Sequence, residues 1–216
     1  MPHDQDHPHG YDQEGHRHPP LRQDQDDTIT YWRAMEIAVR TLLIEKGVLS
    51  ADEIRRAVED MDSRTPLQGA RVVAKAWADP EYRQLLLSDG NAACKALGME
   101  GGIYKLVVVE NTEDVHNVIV CTLCSCYPRW LLGLPPDWYK SRNYRSRVIN
   151  EPRNVLREFG TEIPDNAVVR VHDSTADMRY LVLPKRPAGT DGWSEDKLAA
   201  LVSRDSMIGV SFAATP

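Results

Sequence analysis

Three of the four cysteines of this chain lie within six residues, in the segment CTLCSC that spans residues 121–126. A Cys-x-x-Cys-x-Cys spacing places three sulfur atoms on one short loop, where they can bind one face of a metal ion. A structural zinc site needs a fourth cysteine or histidine, and an iron–sulfur cluster needs a fourth thiolate. No such ligand is evident, because Cys94 stands in a predicted helix and His116 and His172 are isolated in the sequence.

Candidates for the missing donors lie in the backbone of the same loop. The main-chain nitrogens of Ser125 and Cys126 are the nearest atoms that can join the sulfurs of Cys121, Cys124 and Cys126. Deprotonating an amide requires a strongly polarising ion, which favours a trivalent metal over zinc. The alternative interpretation is a buried or oxidisable group of thiols without metal. The spacing favours the metal site.

The composition argues against several classes of protein. The 216 residues include 26 lysines and arginines against 32 aspartates and glutamates, for a net charge of −6. This balance argues against nucleic-acid binding and against a basic membrane-surface protein. The longest apolar runs are too short to span a bilayer, and no signal segment opens the chain. Clustered cysteines are not typical of a secreted disulfide scaffold. We therefore expect a cytoplasmic protein.

Residues 1–28 differ in composition from the rest of the chain. They contain five of the seven histidines and many aspartates, but almost no large apolar side chains. Such a segment cannot bury enough apolar surface to offset the entropy of ordering, so we expect a disordered tail. Its histidines can bind divalent metal transiently. The alternative is a solvated tail without a ligand.

Residues 29–100 show helical patterns, and we predict that they form a helical arm. Ser50 and Glu53 make a capping box, and Asp79 precedes a proline as a helix N-cap. Apolar residues recur at helical spacing between these signals. The predicted helices are residues 31–47, 50–61, 70–77 and 80–98, with Gly90 interrupting the last.

Residues 101–216 are predicted to form an α+β catalytic domain that binds the metal. Short β-branched runs bounded by turn residues predict strands on both sides of the cysteines. The predicted strands are residues 103–110, 116–121, 167–174 and 178–184, the last two paired through a turn. The predicted helices lie within residues 133–141, 145–160 and 194–203. The fold class is therefore α+β, with an N-terminal helical arm and a layered α-β-β-α core.

The cysteine segment resembles that of a known enzyme family. VCTLCSCYP followed by GLPPDWYKS is similar to the metal-binding loop of nitrile hydratase alpha subunits. VVENTEDVHNVIV and RYLVLPKRPAGTDGWSEDKLAALVSRDSMIGV read like the same family, and the resemblance runs from about residue 35 to residue 210. The family loop reads C-S-L-C-S-C with iron or C-T-L-C-S-C with cobalt. Thr122 therefore implies the cobalt type.

The resemblance implies one low-spin Co(III) ion in each chain, with iron the less favoured metal. Three sulfurs, from Cys121, Cys124 and Cys126, and the main-chain nitrogens of Ser125 and Cys126 would form a five-donor claw with an open sixth position. Cys124 would be a sulfinate and Cys126 a sulfenate, which makes Cys124, Ser125 and Cys126 the implied catalytic residues. Polarisation of the nitrile by the ion, activation of a bound water and attack by the sulfenate oxygen all stay open as mechanisms.

The resemblance also implies a reaction and a partner. Nitrile hydratases convert a nitrile and water to the amide, and arginines of a separate beta subunit bind the oxidised sulfurs through charge-assisted hydrogen bonds. This chain contains no beta-type sequence, so we expect a heterodimer or a multiple of one. We expect no nucleic-acid or membrane partner.

The residues after the loop depart from the family pattern. Arg129 and Trp130, which we predict to line the substrate pocket, stand where the family usually reads Trp-Pro-Val-Leu-Gly, and Gly101-Gly102 replaces a frequent glutamine. Arg129 resembles instead the gamma subunit of thiocyanate hydrolase, a cobalt relative. An arginine there can attract thiocyanate, bind a bulky or heteroaromatic nitrile, or pair with a carboxylate of the partner. A thiocyanate hydrolase gamma-type chain and a non-enzymatic cobalt carrier are therefore the alternative functions.

Overall fold

The computed structural model describes residues 29–99, 104–124 and 126–216. The chain divides into two compact units, one that ends at Ile54 and one from Arg55 to Pro216. The predicted disordered tail, residues 1–28, and the Gly101-Gly102 pair lie outside the described residues. Among the residues that are described, no helix has both the length and the apolar character needed to cross a membrane.

The first unit contains helix α1, Tyr31–Glu45, and the beginning of α2, Ala51–Ser63. Gly47 follows α1 with φ +66°, a left-handed conformation that favours glycine at a helix end. The N–H of Glu53 donates to Ser50 Oγ at 3.2 Å, and the N–H of Ser50 donates to Glu53 Oε2 at 2.7 Å. Both predicted helices and the predicted capping box are confirmed.

The second unit continues with three short helices: α3, Leu67–Ala78, α4, Pro80–Ser88, and α5, Gly90–Ala96. The Asp79 carboxylate accepts two main-chain N–H groups of α4, each at 3.0 Å. The Asp89 carboxylate accepts the N–H of Ala92 in α5, also at 3.0 Å. Each aspartate ends one helix and caps the next, so the predicted break near Gly90 is confirmed.

Two-stranded parallel sheets follow. The strands in the described residues are β1, Lys105–Glu110, β2, Val115–Val120, β3, Val168–Asp173, and β4, Met178–Leu183. β1 pairs with β4, and β2 pairs with β3. The predicted pairing of β3 with β4 is wrong. The short connection between β3 and β4 runs from one sheet to the other instead of forming a hairpin turn. β2 and β4, which carry most of the buried apolar residues of the strands, each pair in parallel with a different strand.

Six further helices complete the described chain: α6, Arg129–Leu132, α7, Asp137–Lys140, α8, Arg142–Asn150, α9, Pro152–Glu158, α10, Glu195–Ala199, and α11, Arg204–Ile208. The single helix predicted over residues 145–160 is wrong, because Pro152 has no N–H to continue α8 and starts α9 instead. The helix predicted to reach residue 203 ends at Ala199. Ser203 then caps α11, since its Oγ accepts the N–H of Ser206 at 3.0 Å.

Within the second unit, one apolar core connects both sheets to the helices from α3 onward. Its fully buried side chains include Val72 of α3, Ile119 of β2, Leu181 of β4, Leu198 of α10 and Ile208 of α11. Helices combined with small parallel sheets confirm the predicted α+β class. The predicted domain boundary at residue 100 stays a prediction, and α3 to α5, which precede it, bury side chains in this same core. The core fixes β2, the strand that leads into the cysteines.

Candidate metal centre

The three cysteines predicted as metal ligands lie together at the end of β2. The Sγ atoms of Cys121 and Cys124 are 3.3 Å apart, those of Cys124 and Cys126 are 3.1 Å apart, and all three lie within 4.8 Å of one another. These distances are far above the roughly 2.05 Å of a disulfide bond. Cys121 is buried, Cys126 is half-buried and Cys124 is exposed, so the cluster is reached from one side.

The sulfur separations fit a single shared ion. Two sulfurs at right angles around an ion at about 2.3 Å would lie about 3.3 Å apart, and in a tetrahedron about 3.8 Å apart. The observed 3.3 and 3.1 Å match the right-angle arrangement. No histidine or carboxylate of the described residues joins this group. Ser125, whose main-chain nitrogen is a predicted donor, lies outside the described residues.

The thiols of the cluster need a nearby positive charge to lose their protons. Burial, and after it the hydrogen bonds with Cys124 and Cys121, together raise the pKa of the Cys126 thiol to about 12. Metals bind the thiolate and not the thiol. A bound cation is therefore the natural source of the charge that would hold three thiolates side by side.

Thr122, the residue predicted to select the metal, is bound by the neighbouring strand. Its N–H donates to Asp173 Oδ1 at 2.9 Å, and its hydroxyl donates to Asp173 Oδ2 at 2.6 Å. Asp173 is the last residue of β3 and lies opposite Val120, directly before Cys121. The β2–β3 pairing therefore fixes where the cysteine loop, residues 121–126, begins.

Side chains of α7 and α8 bind the carbonyl groups of the cysteine loop and of β2. The Tyr139 hydroxyl donates to the carbonyl of Cys126 at 3.0 Å, and the Tyr144 hydroxyl donates to that of Ile119 at 2.7 Å. Arg145 Nη1 lies 3.3 and 3.4 Å from two further carbonyl oxygens of the loop. Burial raises the pKa of both tyrosines, so their hydroxyls keep the protons that they donate.

Asp173, Tyr139 and Arg145 contact the cysteine loop but are not predicted from the sequence as part of the site. Asp173 lies 51 residues after Thr122, and only the parallel pairing of β2 with β3 brings the two together. An aspartate at the end of a strand that follows the motif is the one sequence signal for this contact. The tyrosine and the arginine have no comparable signal, because they belong to a helical segment with many polar residues.

A cleft of about 420 Å³ opens beside Cys124 and Cys126. Arg129 and Trp130, the predicted substrate-pocket residues, both line it. The remaining lining residues are Arg64, Tyr104, Tyr127 and Arg179. A second cleft of about 650 Å³ shares Arg64 and Trp130 with the first. The structure thus brings the predicted pocket residues to the sulfur cluster.

The amino-acid sequence of this chain matches those of a known protein family. Residues 30–211 match the family model described as nitrile hydratase, alpha chain. The chain is 53% identical over 190 residues to the high-molecular weight cobalt-containing nitrile hydratase subunit alpha of Rhodococcus rhodochrous, covering 87% of this chain and 94% of the relative. It is 45% identical over 197 residues to the thiocyanate hydrolase subunit gamma of Thiobacillus thioparus, covering 86% of this chain and 81% of the relative.

Solved structures of the same kind share the fold. A double mutant of the Fe-type nitrile hydratase from Comamonas testosteroni Ni1 matches with a TM-score of 0.79 and 42% identity, covering 86% of this chain and 91% of that one. A recombinant thiocyanate hydrolase with partially modified cobalt centres matches with a TM-score of 0.79, 44% identity and the same coverage. The chain therefore belongs to the nitrile hydratase alpha-chain family of enzyme subunits, which confirms the resemblance seen in the sequence. Cobalt and iron proteins are both among the matches, so the comparisons leave the choice of metal open.

Proposed function

We propose that this chain is the alpha subunit of a cobalt-dependent nitrile hydratase, which adds water to a nitrile to give the amide. The observation that carries the proposal is the sulfur cluster, whose separations of 3.3 and 3.1 Å suit one ion with ligands at right angles. The cluster opens onto a cleft large enough for a small organic molecule. The reaction and the metal follow those named for the 53% identical relative.

In this proposal Cys121, Cys124 and Cys126 hold the ion through sulfur, and Ser125 and Cys126 hold it through main-chain nitrogen. When bound there, Co(III) would act as a Lewis acid. Cys124 is proposed as a sulfinate and Cys126 as a sulfenate, with the Cys126 oxygen acting as nucleophile or base. Thr122 supports cobalt over iron through the CTLCSC motif. Its two hydrogen bonds to Asp173 hold the first turn of the loop in place.

The surrounding residues are proposed to position the substrate. Arg129 and Trp130 line the cleft beside the sulfurs. The second cleft, of about 650 Å³, adjoins the first through Trp130 and Arg64 and supplies room for a bulky or heteroaromatic nitrile. The hydroxyl of Tyr139 fixes the carbonyl of Cys126, which keeps the proposed reacting sulfur at the wall of the cleft.

A beta-type subunit is part of the proposal. Helix α1 exposes large apolar side chains along its length, among them Trp32, which is 79% exposed, Met35 and Leu42. In the second unit, Leu123 of the cysteine loop is 89% exposed. Apolar exposure of this kind is typical of a protein interface. We propose that the partner covers these side chains and donates hydrogen bonds to the oxidised sulfurs, in a heterodimer or a multiple of one, in the cytoplasm.

A thiocyanate hydrolase gamma-type function is the second candidate. The position of Arg129 at the cleft and the 45% identity to that subunit in Thiobacillus thioparus favour it. A non-enzymatic cobalt carrier, the third alternative, would bind divalent metal reversibly at unoxidised thiols.

Product analysis by mass spectrometry tests these functions. The cobalt-loaded chain, alone and with its co-expressed partner, is incubated with an aliphatic nitrile, a heteroaromatic nitrile and thiocyanate. Amide formation supports the hydratase, whereas carbonyl sulfide from thiocyanate with both nitriles unchanged identifies the hydrolase. Peptide mass spectrometry of residues 121–126 should show about three added oxygen atoms for either enzyme and none for a carrier.

A further inference from the structure

Three arginine side chains line the cleft beside Cys124 and Cys126. They are Arg64, Arg129 and Arg179, and no carboxylate is among the described residues that line the cleft with them. Each arginine comes from a different part of the second unit: the connection before α3, the start of α6, and β4. Arginine stays charged at any physiological pH, so this arginine cleft is a cationic surface next to the sulfur cluster.

Arg179 lies against an aromatic ring at the wall of this cleft. Its guanidinium carbon lies 4.5 Å from the centre of the Tyr104 ring, and Nη1 donates to the carbonyl of Met178 at 3.3 Å. Its Nε is buried and has no hydrogen-bond partner among the described residues. Because Nε is out of reach, a ligand in the cleft would meet the guanidinium through Nη1 and Nη2. The ring contact fixes the side chain where such a ligand would meet it.

Arg64 and Arg129 are held near each other by a close backbone approach. Gly133, which ends α6, has φ +73°, and a Cβ placed on it would lie 2.4 Å from the carbonyl oxygen of Arg64. Only glycine allows this contact between the connection before α3 and the helix that carries Arg129. Arg64 already pairs with Asp60 at 2.5 Å, whereas Arg129 and Arg179 pair with no carboxylate in the described chain. Two positive charges without a carboxylate partner among the described residues therefore line the cleft.

We propose that the arginine cleft selects a substrate that combines a cyano group with a negative charge, such as a nitrile that carries a carboxylate. This inference rests on the proposed function, and it makes Arg129 and Arg179 the residues that determine specificity. Their guanidinium groups would bind the anionic end, since arginine matches a carboxylate with two parallel hydrogen bonds. The cyano group would then point towards the sulfur cluster. Thiocyanate shares this chemistry, because it too is an anion with a cyano group.

A matched pair of substrates tests the proposal on the cobalt-loaded complex. The value of kcat/KM should be about tenfold or more higher for 4-cyanobenzoate than for benzonitrile, and the difference should shrink as salt is added. Arg129→Gln and Arg179→Gln should each lower kcat/KM for 4-cyanobenzoate about tenfold more than for benzonitrile, mainly through KM. Arg157→Gln, which removes an equal charge from the exposed face of α9, should leave the ratio of kcat/KM for 4-cyanobenzoate to that for benzonitrile unchanged.

Calorimetry supplies a measurement that does not depend on turnover. The amide product 4-carboxybenzamide should bind the complex about tenfold more tightly than benzamide, and both cleft variants should remove most of that difference. Equal binding of the two amides would overturn the proposal, as would an equal loss for both substrates in the variants. The latter result would show that the arginines support the metal loop instead of the substrate.

The outcomes separate this inference from the proposed function. Hydration of benzonitrile at a rate equal to or above that of 4-cyanobenzoate would overturn the selectivity and leave the hydratase standing. Conversion of thiocyanate with both nitriles unchanged would support the selectivity for an anion and overturn the hydratase. Hydration of 4-cyanobenzoate with the predicted preference would support both.

Discussion

The two parallel sheets of this chain have the same number of strands but different surroundings. The β1–β4 sheet contributes apolar side chains, including Leu106, Val108 and Leu181, to the buried core. The β2–β3 sheet also buries apolar residues of β2, but its partner strand is half-exposed and ends in Asp173, which binds Thr122. The first sheet therefore serves mainly stability, and the second sheet also positions the cysteine loop.

A chain of hydrogen bonds runs through the β2–β3 sheet. His172 Nε2 lies 2.8 Å from Asn117 Oδ1, and Asn117 Nδ2 donates to Asn111 Oδ1 at 3.0 Å. The side chain of Asn111 contacts His116 Nδ1 at 3.3 Å, and His116 Nε2 lies 2.7 Å from the carbonyl of Gly209. The bond between His172 and Asn117 crosses from β3 to β2, so a slip of β3 by one residue would break it. The other bonds fix the orientation of the Asn117 side chain that accepts it, so the network supports the register that places β3 beside the cysteine loop. In these two sheets, apolar packing therefore supplies stability, and directional polar contacts position the cysteine loop.

The largest effect is expected from removing a sulfur at the end of the β2–β3 sheet. Cys121→Ala should lower the cobalt content from about one ion per chain to almost none, because two sulfurs cannot replace three. Elemental analysis of the purified complex measures this loss, and hydratase activity should disappear with it. Cys94→Ala is the matched control, since Cys94 is buried in α5 and burial raises the pKa of its thiol to about 12. Equal loss of cobalt in both variants would contradict the assignment of the cluster.

The β1–β4 sheet should respond in the opposite way. Leu181 is fully buried, so Leu181→Ala should lower the free energy of unfolding by about 2–5 kcal/mol. The folded fraction should nevertheless keep its cobalt, because the hydrogen bonds of the described loop residues come from Asp173, Tyr139 and Arg145 and not from this apolar side chain. Urea denaturation and metal analysis of the same sample measure both quantities. Val168→Ala, at an exposed position of β3, is the control and should change stability by less than about 0.5 kcal/mol.

The helix ends of this fold could be predicted because their signals are local. Ser50 and Glu53, and likewise Asp79, contact backbone groups no more than three residues away. Pro152 carries an equally local signal that outweighs the helical pattern around it. Strand partners have no such signal, since the choice between β3 and β4 depends on which strand completes the core.

The same division holds for the candidate site. The three sulfurs and the pocket residues Arg129 and Trp130 lie within ten residues of one another, so a motif reveals them together. Asp173 reaches the loop through the pairing of β3 with β2, and Arg179 lies in β4, which pairs with β1. Arg64 is brought to the cleft by the close contact of its carbonyl with Gly133. Contacts of that kind exist only once the chain has folded.

Removing the link between the β2–β3 sheet and the loop should have a smaller effect than removing a sulfur. Asp173→Ala leaves the N–H and the hydroxyl of Thr122 without their acceptor, and cobalt affinity should fall about 10- to 100-fold. Asp173→Asn should lose less, because one amide oxygen can still accept. Competition with a chelator measures the affinity, and Asp165→Asn, at an exposed position before β3, is the control.

A double-mutant cycle with Thr122→Val shows whether Asp173 acts through this contact. Thr122→Val removes the hydroxyl, so its effect on cobalt affinity should overlap with that of Asp173→Ala. Effects that simply add would mean that Asp173 influences the metal by another route.

The smallest expected effect is a loss of folding stability at acidic pH, and it should arise in the β2–β3 sheet. Burial lowers the pKa of His116 and of His172, whereas an unfolded histidine titrates near about 6.5. Below that pH the unfolded chain binds protons that the folded chain does not, so stability that is complete above about pH 6.5 is lost as the pH falls. Each histidine can contribute a slope of at most about 1.4 kcal/mol per pH unit.

Free energies of unfolding in urea between pH 7.5 and 5.5, a range chosen around the value of about 6.5, measure this slope. His116→Gln should lower stability at pH 7.5, because glutamine cannot bind both Asn111 and the carbonyl of Gly209 as the ring does, yet it should flatten the slope towards acid. Val108→Ala, in the β1–β4 sheet, should lower stability equally at every pH and keep the wild-type slope. If His116→Gln also kept that slope, His116 would not be a source of the acid sensitivity. A flattened slope in His116→Gln alone would show that the sheet that orders the cysteine loop is also the one that weakens in acid.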